Sequence, residues 1–260
     1  MKKLSLYIIF ILGIIQINYA SNNPLINKPS ISPDGKTIAF NYQGDIWTSN
    51  LKGEKLKRLT IHKGYDTNPI WSNDGKTIAF QSNRFGNFDI YTIPYSGGTP
   101  KRITYNSAND ILTDFTNNNQ LIFETQRNFV QIERAKEFHS VSANGGTPIR
   151  LLNTVGFDAK LSPNQKFIVF TKGTCRIERE AYKGAANRDI WLYNIANDSY
   201  KQLTTFNGQD FSPYWADNSN IYFQSARSGK YNVHKFSIDE NGNKSGEISQ
   251  ISFLKKMGLF

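Results

Sequence analysis

The sequence predicts an all-β fold, a β-propeller of four-stranded blades with five repeats visible, which is the pattern of an incomplete six-bladed ring. Three recurring elements carry that prediction. The decapeptide Ile31-Ser-Pro-Asp-Gly-Lys-Thr-Ile-Ala-Phe40 returns as Trp71-Ser-Asn-Asp-Gly-Lys-Thr-Ile-Ala-Phe80, with looser copies ending at Phe123, Phe170 and Phe223. A polar residue followed by an apolar–aromatic or apolar–histidine pair recurs as Asp45-Ile-Trp47, Asp89-Ile-Tyr91, Glu137-Phe-His139, Asp189-Ile-Trp191 and Asn232-Val-His234. A closing triplet recurs as Arg58-Leu-Thr60, Arg102-Ile-Thr104, Arg150-Leu-Leu152, Gln202-Leu-Thr204 and Gln250-Ile-Ser252.

Each element has a physical reading. In the first, Pro, Asp, Asn and Gly between apolar runs make a tight turn joining two strands. The second is a third strand whose aliphatic and aromatic residues pack against neighbouring sheets. The third is a short outer strand. Its central aliphatic falls at 59, 103, 151, 203 and 251, intervals of 44, 48, 52 and 48 residues, which is the size of a four-stranded blade. A sandwich has no reason to repeat one turn and one triplet five times, whereas a radial array does. The expected repeats are 28–66, 67–110, 111–158, 159–210 and 211–252. Residues 253–260 read as the truncated start of a sixth blade or a tail. The long inserts, 126–136 in the third unit and 172–188 in the fourth, are expected on one face.

The first twenty residues read as an address. Lys2 and Lys3 precede an apolar run from Leu4 to Ile17, and Ala20 offers a cleavage point before Ser21. A removed signal peptide is expected, giving an exported protein of the periplasm or cell envelope without a stable membrane anchor. The chain carries 31 Lys and Arg against 21 Asp and Glu, a net charge of +10. Export and the strand positions of the aromatics argue against nucleic acid and for anionic envelope components or an acidic partner. The lone Cys175 excludes a disulfide framework and multi-thiolate metal sites, and is compatible with a free, buried thiol.

Candidate ligand residues come from the crossovers between units. Asp66, Asp110, Asp158 and Asp210 each stand seven residues after a closing aliphatic. They read either as an axial ring of acids for a cation or amine, or as acceptors that fix the crossover backbone, and the second reading explains why one residue type recurs in every unit. Arg84 and Arg227 follow the second strands in matching stretches, Ser82-Asn-Arg84 and Ser225-Ala-Arg227. They are placed either to pair with those acids or to meet a ligand. The fifth acid position falls on Gly258. No catalytic, cofactor or metal residues are expected. The three histidines are dispersed, His139 and His234 occupying aromatic slots of the third strand as half-buried residues. Nucleophile elbows and phosphate loops are missing, and Glu178 and Glu180 read as solvated loop charges.

Ser32-Pro-Asp-Gly-Lys-Thr-Ile-Ala-Phe40, Arg58-Leu-Thr60 and Asp66 together resemble the WD40-like repeat shared by the TolB propeller and the tricorn-type peptidases. Gly44-Asp-Ile-Trp47, Arg84-Phe-Gly-Asn-Phe-Asp-Ile-Tyr91 and Asn187-Arg-Asp-Ile-Trp-Leu-Tyr193 look most like the amino-terminal propeller of exported tricorn homologues. That resemblance implies a non-catalytic propeller that, in tricorn-type proteins, guides peptides toward a peptidase domain of the S41 type; that domain is absent from these 260 residues and would be encoded downstream. It gives three readings: a peptide-binding propeller associated with proteolysis, a TolB-like periplasmic scaffold for envelope proteins, or the propeller of a prolyl-oligopeptidase-like hydrolase. Peptides or envelope proteins are the implied partners, and no cofactor is implied.

Overall fold

The computed structural model describes residues 26–128 and 136–254. The expected signal peptide, most of the third-unit insert and Gly258 lie outside them. The described residues contain strands and turns and no helix.

The first blade is β1 (Asn27–Ile31), β2 (Thr37–Tyr42), β3 (Asp45–Asn50) and β4 (Lys57–Arg58). The second repeats it as β5 (Asp66–Trp71), β6 (Thr77–Ser82), β7 (Asp89–Pro94) and β8 (Lys101–Arg102). The third begins with β9 (Ile111–Phe115), β10 (Gln120–Thr125) and β11 (Lys136–Ser142). The long β12 (Ile149–Leu161) follows, then β13 (Phe167–Lys172), β14 (Asp189–Asn194) and β15 (Ser199–Gln202). The fifth blade is β16 (Asp210–Trp215), β17 (Asn220–Ser225), β18 (Asn232–Ile238) and β19 (Lys244–Gln250). All pairings are antiparallel between strands adjacent in sequence.

One junction departs from the expected plan. The third and fourth blades form a single seven-stranded sheet, because β12 serves both. Its first half pairs with β11 as an outer strand, and Phe157–Leu161 pairs with β13 as an inner strand. The repeat boundary expected at residue 158 therefore falls inside a strand. Elsewhere a loop makes this crossing.

The repeated turn is held locally. Ser32 Oγ donates to Asp34 Oδ1 at 2.6 Å and accepts from the Thr37 amide at 2.9 Å, and Ser72 and Asp74 reproduce the pattern. Those bonds hold the Asp34 and Asp74 carboxyls below the usual range, with the serine hydroxyl the largest cause.

Blades stack through unlike faces. Ala39, Ile46 and Leu59 of the first blade meet Ile78, Phe80, Tyr91 and Ile93 of the second. Ala79, Ile90 and Ile103 then meet Phe115, Leu121 and Phe123, and the same exchange of small for large recurs at the fourth-to-fifth junction. A small residue opposite a phenylalanine lets layers interdigitate, and each buried phenylalanine contributes about 1.5–3 kcal/mol. His139 and His234 are fully buried in this layer, deeper than expected, against Phe123 and Phe223 at 5.7 and 5.9 Å. The inner strands β1, β5, β9, β12 and β16 stand side by side in that order. Crossovers and the links from second to third strands lie at one end of this arc, and the repeated turns lie at the other.

Candidate functional site

The crossover acids and arginines meet each other. Arg84 donates through Nη2 to Asp66 Oδ2 at 2.6 Å and through Nε to Oδ1 at 3.3 Å, with a further bond to Ser82 Oγ. Arg227 pairs with Asp210 at 2.7 Å, and Arg127, which the sequence reading passed over, pairs with Asp110 at 2.5 Å. All three carboxylates are buried. The guanidinium groups stack on aromatic rings of the same blades, Arg84 on Tyr91 at 5.2 Å, Arg127 on Phe123 at 5.1 Å and Arg227 on Phe223 at 5.3 Å. Each pair closes its own blade at the crossover end, where the inner and second strands part. These six groups form separate clamps and not an open ring of acids.

Asp158 stands apart from that series. Register pairs Asp66 with Ser82 and Asp210 with Ser225, and the equivalent place in the fourth blade is Gly156. Asp158 lies two residues on, at the bulge of the inner strand, with φ +58° like Asn68 and Ser212. Its carboxylate accepts from Ser212 Oγ at 3.3 Å, tying two inner strands together as Asn68 does by donating to the Leu112 carbonyl at 2.7 Å.

A second set of acids heads the third strands. Asp45 accepts from Arg58 and from Thr60 Oγ1. Asp89 accepts from Arg102 at 2.6 Å and from Thr104. In the fourth blade Gln202 stands where Arg58 and Arg102 stand, and Asp189 keeps Thr204 without the arginine. Burial, and then the nearby Asp210, push the Asp189 carboxyl from 3.8 up to about 6, against the hydrogen bonds of Thr204 and Gln202. The folded state thus holds this proton more tightly than the unfolded chain. The stabilising contribution is complete below about pH 3.8 and is lost as the pH rises through about 6. Asp189→Asn, the residue type found at Asn232, is therefore expected to raise Tm at pH 7.5 and leave it unchanged at pH 3.5. Allowing for a carboxylate that is only half-buried, the gain is about 1 kcal/mol, or about 2–4 °C. Gln202→Arg should act in the same direction, and equal Tm changes at both pH values would refute the assignment.

At the axis one register position from each inner strand faces a cavity of about 720 Å3: Ser30, Ile70, Asp114, Lys160 and Tyr214. Their common place is fixed by pairing with Ala39, Ala79, Ile122, Val169 and Tyr222. Trp71 Nε1 donates to the Ser30 carbonyl at 3.1 Å and Trp215 Nε1 to the Lys160 carbonyl at 3.0 Å, locking neighbouring strands beneath that ring. Burial raises the Asp114 carboxyl, opposed chiefly by Lys160. The Lys160 ammonium bonds the Thr113 carbonyl and lies 5.9 Å from the Tyr214 ring. An apolar side, an opposite-charge pair and an exposed phenol thus converge on one axial opening. The sequence reading missed these residues, although each immediately precedes the apolar residue that leads the repeated turn.

The model of the tricorn protease N-terminal beta propeller domain matches residues 23–257. The TolB proteins of the Tol-Pal system from Francisella tularensis subsp. mediasiatica and subsp. tularensis are 28% identical over 204 residues, which is 74% of this chain and 43% of theirs. The chain therefore spans less than half the length of the curated relatives it matches. Among solved structures, the tricorn protease superposes with a TM-score of 0.72 at 21% identity, over 89% of this chain and 23% of that one. A putative TolB from Agrobacterium tumefaciens superposes with a TM-score of 0.68 at 20% identity, over 87% of this chain and 80% of that one. At these identities the two structures show the fold alone.

Proposed function

The chain belongs to the family of tricorn protease N-terminal beta propeller domains, and from that premise we propose that it is an exported, non-catalytic propeller that binds peptide or protein segments at its axial opening. The observation that supports this reading is the ring of Ser30, Ile70, Asp114, Lys160 and Tyr214. These positions line a shared cavity and differ in residue type from blade to blade. The crossover acids, by contrast, are already consumed by their own arginines. A cavity of about 720 Å3 accommodates a few residues of an extended chain. Tyr214 supplies a rigid amphipathic surface beside the apolar Ile70, and the Lys160 ammonium, held by the Thr113 carbonyl, supplies a cation at the rim.

Binding of a fluorescently labelled peptide mixture, followed by anisotropy, tests this. Tyr214→Ala is expected to weaken binding about tenfold, or about 1.4 kcal/mol, with the melting temperature little changed because the ring is exposed. Affinity indifferent to Tyr214→Ala and to Lys160→Met would refute an axial site. The 28% match to TolB favours a second reading, a scaffold that docks a folded envelope protein at the same opening. Under that reading a folded partner competes with the peptides and the peptides alone bind weakly.

A further inference from the structure

Away from the axis, the crossover end of the first two blades carries a strip of exposed apolar side chains. Ile61 is 76% exposed, Tyr65 44%, Phe85 67% and Tyr105 70%. They stand on three neighbouring loops, 60–65, 83–88 and 104–109. The Tyr65 amide donates to Asn83 Oδ1 at 2.6 Å, joining the first crossover to the loop that carries Phe85. The Arg102 guanidinium lies between the Phe85 and Tyr105 rings, 4.5 and 4.7 Å from their centres. Asn87 Nδ2 donates to the Asn106 carbonyl at 2.9 Å, fixing the second crossover beside them. Both rings are therefore held in place while their outer faces meet water. Rigid aromatics around an arginine are the composition of a recognition surface, and single scattered apolar residues are not.

Charge selects the partner. The loops at 60–65, 83–88 and 104–109 contain no acid, and with Arg84 paired to Asp66 they leave Lys63 as an exposed cation. The carboxylates beneath them, Asp66 and Asp89, are buried under Arg84 and Arg102. Exposed acids of these blades, Asp34, Glu54 and Asp74, lie at the opposite end in the turns. We propose that this strip of Ile61, Tyr65, Phe85 and Tyr105 is a docking surface for an acidic, aromatic-bearing segment of a partner protein, separate from the axial opening. Lys63 meets the partner's carboxylates, and the two rings, held by the Arg102 that Asp89 pairs, stack on its aromatic side chains.

The test uses the whole chain and a labelled peptide of alternating Glu and Tyr with Gly spacers, its Lys-for-Glu twin, and vesicles of anionic lipid. The acidic peptide is expected to bind and the basic twin to bind at least tenfold more weakly. The double variant Phe85→Ser with Tyr105→Ser should weaken the acidic peptide about tenfold. Leu56→Ser, which removes a comparably exposed apolar residue from the turn end, should change it less than about twofold. Raising salt from about 0.05 to about 0.3 M should weaken it several-fold. Equal binding of the two peptides, no effect of the double variant, or no binding of the acidic peptide overturns the proposal. Binding to vesicles without binding to peptide overturns it in favour of a membrane surface. None of these outcomes depends on Tyr214 or Lys160, so failure here leaves the axial reading standing.

Discussion

Replacing Arg84 with methionine is expected to destabilise the propeller by about 3–5 kcal/mol, read as a lower midpoint in urea unfolding. The reason lies in what remains. Asp66 is fully buried, and its two oxygens accept from Arg84 Nε and Nη2. Methionine keeps much of the stem, but removes the guanidinium that lies over Phe80 and Tyr91 and leaves the carboxylate without its counter-charge. The double variant Asp66→Asn with Arg84→Met removes the stranded charge and should recover more than half of the loss. Asp66→Asn alone should cost less than Arg84→Met, because the arginine keeps Ser82 and a route to water. A loss under about 1 kcal/mol for Arg84→Met, or no recovery in the double variant, would mean that the clamp does not hold the crossover. Arg127 and Arg227 close equivalent clamps, so their variants should rank with Arg84.

What the sequence showed of this arrangement depended on how local the bonding is. The Ser-Pro-Asp-Gly turn was legible because its bonds, Ser32 to Asp34 and Thr37 to Ser32, close within six residues. A local device must reappear with its own residues wherever the chain repeats it. The exchange of small and large faces between blades was legible for a related reason, since strand alternation writes Ala39 against Phe40 and Ala79 against Phe80 in the chain itself. The clamps were half legible. Asp66 and Arg84 lie eighteen residues apart and pair only through strand register, and Arg127 was hidden because Thr125 stands where Ser82 and Ser225 stand. The axial ring could not be read as a ring at all. Its five positions share no residue type, and only the geometry of adjacent inner strands unites Asp114 and Lys160.

Gly156 gives the sharpest case, because there counting residues and counting register disagree. Each inner strand elsewhere is reached by a loop, as between Leu59 and Asp66 or Leu203 and Asp210. In the third-to-fourth crossing β12 runs straight through, and five residues from Leu151 reach the place that takes seven in the other junctions. Spacing therefore pointed to Asp158, while register assigns the clamp position to Gly156. Glycine there is required by space. A Cβ at Gly156 would sit 2.4 Å from the Thr171 carbonyl oxygen and 3.1–3.2 Å from the Phe138 and Phe170 rings. The backbone atom cannot move without breaking the pairing of β12 with β13. Gly156→Ala is accordingly expected to cost about 2–3 kcal/mol by overpacking. Gly156→Asp, which restores the repeat's residue type, should cost more, since its larger side chain meets the same Thr171 carbonyl and Thr174 stands at the place of the clamp arginine. Urea unfolding and the protease sensitivity of the 172–188 insert would both report the loss. If Gly156→Asp proved neutral, the two blades would not share a strand in solution.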